Sequence, residues 1–174
     1  RLVRIPSVSW TAYDPANVRA SADAVAGLLR ETGAFDSVEV KQAPISGETL
    51  GQPAVLATRA AKNGRPTVLL YANHDVQPQG DAANWDTPPF EPTVRGDRLY
   101  GRGAADDKAG VMSHVASVRA LVEALGPDFD LGLAVFIEGE EESGSPSFAN
   151  FLEQNKAALA ADVIVVADSD NVDI

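Results

Sequence analysis

The side chains best suited to chemistry in this sequence are carboxylates, and they fall in four places. Asp75 closes YANHD, and Asp106 and Asp107 follow the glycine-rich YGRGAA. Glu140, Glu141 and Glu142 lie in IEGEEESGS, and Asp168 and Asp170 follow DVIVVA. Each cluster comes after an apolar run or at the start of a helical pattern. Acidic groups brought together from four such places would repel one another at neutral pH unless a cation lay among them. The chemistry this suggests is divalent-metal binding. Carboxylates alone suit Mg, Ca or Mn, whereas zinc normally takes imidazole as well. Taken singly, each cluster has an ordinary explanation: Asp106 or Asp107 can cap a helix, and Glu140 to Glu142 can form a solvated turn. Their recurrence at successive strand ends favours the metal.

Imidazole is scarce. The two histidines are His74, between Asn73 and Asp75, and His114, inside a helical pattern. Side chains alternate along a strand, so residues 73 and 75 share a face and His74 points away from it. His114 is expected at a partly exposed helix position, outside the site. Asn73 is left on the ligand side, and its carboxamide oxygen is neutral and hard, a poor substitute for imidazole at zinc.

Several elements must position these groups. Asp14-Pro15 marks a helix start, with Val18, Ala22, Val25, Leu28 and Leu29 at helical spacing and Gly33 as its stop. Residues 38–40 and 54–57 read as strands, and 67–72 as a central strand covered on both faces. Residues 76–98 form a long loop rich in Pro, Gly, Asp and Asn, in which Trp85 and Phe90 argue for packing. A second helix is predicted from about Asp107 to Leu125, ended by Gly126-Pro127. A buried strand over 131–137 follows, then a third helix opened by Ser145-Pro146 and a last apolar strand over 162–167. The alternation predicts a layered α/β domain with a largely parallel sheet, and parallel strands bring their carboxyl ends to one ligand crevice. No internal repeat or domain boundary is apparent.

Composition narrows the function classes. Of the 174 residues, 14 are basic and 25 acidic, for a formal charge of −11. This disfavours nucleic acid or an anionic membrane surface as partner. There is no cysteine, which removes disulfides, thiolate metal sites and cysteine nucleophiles. Its absence fits a reducing compartment, and the cytoplasm is the expected location. No apolar run reaches the roughly 18 residues that span a bilayer.

Four segments carry a likeness to a known family: YANHDVQP, NWDTPPFEPTVRGDRLYGRGAADDKAG, IEGEEESGS and ADVIVVADSDN. In this order they resemble successive motifs of the M20 metallopeptidases, most closely the carnosinase-like dipeptidase branch. The resemblance runs from LVRIPSVS to the end, and it implies a three-layer α/β/α sandwich with a largely parallel, mixed central sheet of the zinc-peptidase kind, truncated. It implies that residues 1–174 are an N-terminal portion of the catalytic domain, without the lid or dimerisation domain and the C-terminal part of the catalytic domain.

The resemblance also implies roles. The family's His-x-Asp motif places its ligand position on Asn73 and its metal-orienting aspartate on Asp75. Asp106 matches the aspartate shared by two metals, and the Asp106–Asp107 peptide is expected to be cis. Glu141 matches the general base, Glu142 a ligand of the second metal, and Asp168 the remaining ligand of the first, with Asp170 in reserve. The family mechanism is two-metal hydrolysis of an amide by an activated water, with zinc in most members and manganese in some. The implied substrate is a short peptide, and the complete protein is expected to be a homodimer. With Asn73 at a ligand position and the family's late histidine missing, the chain as written is expected to hydrolyse little. The alternatives are a deacylase of N-acyl amino acids on the same fold, or a metal-poor homologue serving as a binding or structural module.

Overall fold

The computed structural model describes residues 1–169. Nine strands and three α-helices follow in order, besides three single-turn 3-10 helices: α1 (Pro15–Glu31), β1 (Ser37–Lys41), β2 (Pro44–Ser46), β3 (Thr49–Leu50), β4 (Ala54–Arg59), β5 (Thr67–Asn73), β6 (Thr93–Arg95), β7 (Arg98–Tyr100), α2 (Lys108–Leu125), β8 (Gly132–Glu138), α3 (Phe148–Gln154) and β9 (Val163–Val166). The main sheet has the order β1-β4-β8-β5-β9. It is mixed: β1, β4 and β8 pair antiparallel, while β8, β5 and β9 run parallel.

Period-two alternation divides the buried side chains between two faces. Val55, Leu70, Ala72, Val135 and Ile137 pack with Val25 and Leu29 of α1 and Val111 and Val115 of α2. Leu56, Leu69, Ala134 and Phe136 face the other way, onto Phe151 of α3. There the Phe136 and Phe151 rings stack at 4.6 Å, an arrangement worth about 0.5–1.5 kcal/mol beyond the area buried. Three layers follow. Because β8 is covered on both faces, all seven of its residues are buried.

The helix ends match their local chemistry. The Asp14 carboxylate accepts the Ala16 amide at 3.0 Å with Pro15 in the first turn, and Gly33 adopts φ +67° beyond the last. Asp107 caps α2 by accepting the Gly110 amide at 3.1 Å. The third helix begins later than its Ser-Pro signal suggests. Ser145 takes φ +52° in the turn before the helix, and Ser147 is the N-cap residue. The 76–98 loop is packed, as its aromatics predict. The Trp85 indole donates to the Gln79 carbonyl at 2.8 Å, and Arg102 lies 5.5 Å over the Trp85 ring. It runs into the β6–β7 hairpin, and β2–β3 forms a second small hairpin.

Candidate metal centre

Three parallel strands deliver the site. Asn73, at the tip of β5, is level with Glu138 of β8, and Tyr71 is level with Val166 of β9. Continuing the β5–β9 register by two residues brings Asp168 beside Asn73 on the same face. The N-terminus of α2 closes the group. The Asp107 carboxylate accepts the Asn73 backbone amide at 3.0 Å, and the Asp106–Asp107 peptide is cis. Gly110 is required here, because a Cβ would collide with the Ala167 carbonyl and the Asp107 carboxylate. An open cleft of about 650 Å³ is lined by Asp106, Asp107 and Asp168, among others.

Asp75 is fully buried. It accepts the Glu142 backbone amide at 3.0 Å and the Asn73 carboxamide N–H at 3.3 Å. Burial pushes its carboxyl up to about 7 despite those hydrogen bonds. Asp107 rises to about 7 as well, first through burial and then through the negative charges of Asp168 and Asp106. Glu141, Glu142 and Asp168 are all raised, by burial first and then by one another's charge or that of Asp106. These groups therefore feel a common negative potential. The cluster is open nonetheless: among the described residues, no three His, Asp or Glu side chains close round a single point.

Two buried oxygens supply the test of fit. Asn73 Oδ1 and Glu142 Oε1 are inaccessible to solvent and have no hydrogen-bond partner, a costly condition without a ligand. With the carboxylates of Asp106 and Asp168, every free donor is oxygen. The set fits a hard divalent cation and is a poor match for zinc.

Neither imidazole joins this set. His74 is fully buried with Nε2 2.9 Å from the Pro53 carbonyl, and burial lowers its pKa to about 4. His114 is buried rather than partly exposed, with Nε2 2.9 Å from the Tyr71 carbonyl. The sequence pattern missed this because the contact comes from β5, not from the helix. Asp170 lies outside the described residues.

Other groups at the site went unforeseen. Glu140 is buried as an anchor: its carboxylate accepts the amides of Gln52 and Ser147 and the Ser147 hydroxyl. Tyr71 donates to Glu138 at 2.7 Å. Lys108 is buried with its ammonium on the carbonyls of Leu2 and Ile5. Gln77 and Trp10 both reach Glu142. Glu140 is one of three consecutive glutamates with no local signal separating it from the other two. The remaining contacts join distant segments, which local pattern does not reveal.

Comparison with known proteins agrees with this geometry. The profile described as Peptidase family M20/M25/M40 matches residues 69–173. A Cys-Gly metallodipeptidase of Schizosaccharomyces pombe is 32% identical over 97% of this chain and 36% of its own length. A succinyl-diaminopimelate desuccinylase of Aromatoleum aromaticum is 37% identical over 64% of this chain and 30% of its own. The crystal structure of human carnosine dipeptidase 1 superposes with a TM-score of 0.80 at 29% identity, covering 97% of this chain and 36% of that one. The chain thus spans about a third of the length of these relatives.

Proposed function

Because the chain belongs to peptidase family M20/M25/M40, with carnosinase-like dipeptidases among its relatives, we propose that it carries the carboxylate half of a metal-dependent dipeptidase centre. The observation that carries this is the pair of orphaned buried oxygens, Asn73 Oδ1 and Glu142 Oε1, beside mutually perturbed carboxylates. Asp106, Glu142, Asp168 and Asn73 would hold the ions, and Asp75 would orient the ligand shell through Asn73 and the Glu142 amide. Two ions are proposed, as in the family mechanism, with zinc the family's usual metal and manganese better suited to these donors. When bound, they supply the Lewis acidity that polarises the scissile carbonyl and acidifies the attacking water.

Glu141 is the general base. Burial and its acidic neighbours raise its pKa, which strengthens it as a proton acceptor and lets it return that proton to the leaving amine. Substrates are short peptides, the setting is cytoplasmic, and the complete enzyme is a homodimer. Among the described residues, no helix is long and apolar enough to cross a membrane.

Each of the two imidazoles has its Nε2 on a backbone carbonyl, of Pro53 or of Tyr71, and neither takes the ligand position, so the chain as written hydrolyses little. The test is Cys-Gly hydrolysis with added zinc or manganese, by the chain and by Asn73→His. Little turnover in the first and a gain in the second are expected. Equal, robust rates would remove the role given to residue 73. The desuccinylase relative supports a second reading, hydrolysis of N-acyl amino acids, and faster cleavage of an N-succinyl amino acid than of dipeptides would favour it. A non-catalytic binding module is the reading if Asn73→His restores neither metal retention nor turnover.

A further inference from the structure

Glu142 is held at three of its four polar atoms. Its backbone amide donates to Asp75 Oδ2 at 3.0 Å. Its carbonyl accepts the Trp10 indole N–H at 2.9 Å and the Gln77 carboxamide at 3.0 Å. The same Gln77 nitrogen donates to Glu142 Oε2 at 2.7 Å. Only Oε1 is left, buried and without a partner. Glu140, two residues earlier, differs: both of its carboxylate oxygens are engaged by amides or a hydroxyl. One glutamate is saturated as an anchor, and the other is fixed with one oxygen free.

We propose that Gln77 is a positioning residue which, supported by Trp10, aims Glu142 Oε1 at a bound divalent cation. This rests on Glu142 being a metal ligand. A glutamate side chain loses rotamer entropy when it is ordered, so fixing one oxygen before the ion arrives removes part of that cost from binding. The choice of amide matters. A lysine or arginine in this position would neutralise the carboxylate, whereas the neutral carboxamide orients it and leaves its charge for the ion. Because one nitrogen spans the Glu142 carbonyl and Oε2, the turn and its side chain are locked as a unit.

The test is Mn²⁺ titration of the chain, read by electron paramagnetic resonance of the free ion, alongside thermal melting. Gln77→Met keeps the length without donors and is expected to weaken Mn²⁺ binding about 10- to 100-fold. Trp10→Phe removes one N–H from a carbonyl that Gln77 still holds, and is expected to weaken it less. Should Gln77→Met fail to fold, Gln77→Asn, one methylene too short to span both acceptors, carries the same expectation of weakened binding. A lowered melting temperature with unchanged Mn²⁺ affinity would mark Gln77 as merely structural and overturn the proposal. Glu142→Gln separates the two levels. If it weakens binding while the Gln77 variants do not, only the positioning role falls. If it leaves binding unchanged, or the unmodified chain binds no Mn²⁺, the ligand reading falls and the proposal with it.

Discussion

Asn73 concentrates the chemistry of the site in one side chain. Its backbone N–H is bound by Asp107, its Nδ2 reaches Asp75, and its Oδ1 has no partner. Replacing that hard, neutral oxygen with an imidazole nitrogen changes which ion is preferred. Asn73→His is therefore expected to raise Zn²⁺ affinity at least tenfold, measured by competition with a chromophoric chelator. Unchanged affinity would place the ion elsewhere. Much at this scale was legible, because strand alternation alone turns His74 away from residues 73 and 75. The contacts of Gln77 and Trp10 were not, since they cross 65 and 132 residues of sequence.

The turn after β8 is fastened at the scale of whole elements. Glu140 ties the chain before β4 to the start of α3 through Gln52 and Ser147. Gly51 lies so close that a Cβ would meet Ser147 and Glu140. Glu140→Ala leaves three donors without their acceptor, the buried amide and hydroxyl of Ser147 and the half-buried Gln52 amide, at about 1–3 kcal/mol for each buried one before relaxation. A loss of at least about 3 kcal/mol is expected in urea unfolding, and a loss under 1 kcal/mol would show that water replaces the carboxylate. Strands and long helices were readable from periodicity and caps. The β2–β3 and β6–β7 hairpins were not, because strands of two or three residues barely establish a period. The β6–β7 turn at Gly96-Asp97 was nevertheless a signal within the loop.

At the scale of the molecule, carboxyls raised chiefly by burial, and secondarily by one another's charge, make stability depend on pH. Asp75 and Asp107 rise from 3.8 to about 7, so the folded state holds protons the unfolded state has released. Their contribution is fully present below pH 3.8 and is lost as pH rises through 7. His74 falls from 6.5 to about 4 and acts in the opposite sense, adding stability as pH rises between those values. Burial lowers His114 in the same sense as His74. Asp75 and Asp107 together with the raised Glu141, Glu142 and Asp168 nonetheless outweigh the two imidazoles, and above pH 6.5 the carboxyls act unopposed by them. The melting temperature of the metal-free chain is expected to fall between pH 5 and 7.5, with millimolar Mn²⁺ stabilising it most at the upper end. A rise across that window would contradict the assignment. The sheet has a second pressure at its margin. Val163, Ile164, Val165 and Val166 of β9 are 51, 64, 42 and 55% exposed, on a strand whose pairing in the sheet is with β5. Such an edge is a template for pairing, so concentration-dependent association is expected in sedimentation and Ile164→Lys should reduce it. Unchanged association in that variant would place the contact elsewhere.

The most direct test of the metal centre is anomalous scattering from crystals of the chain equilibrated with Mn²⁺. The account predicts a peak within coordination distance of carboxylate oxygens of Asp106 and Asp168, with Asn73 Oδ1 or Glu142 Oε1 completing the contacts. A fully occupied peak away from these residues, or none at saturating Mn²⁺, would contradict it.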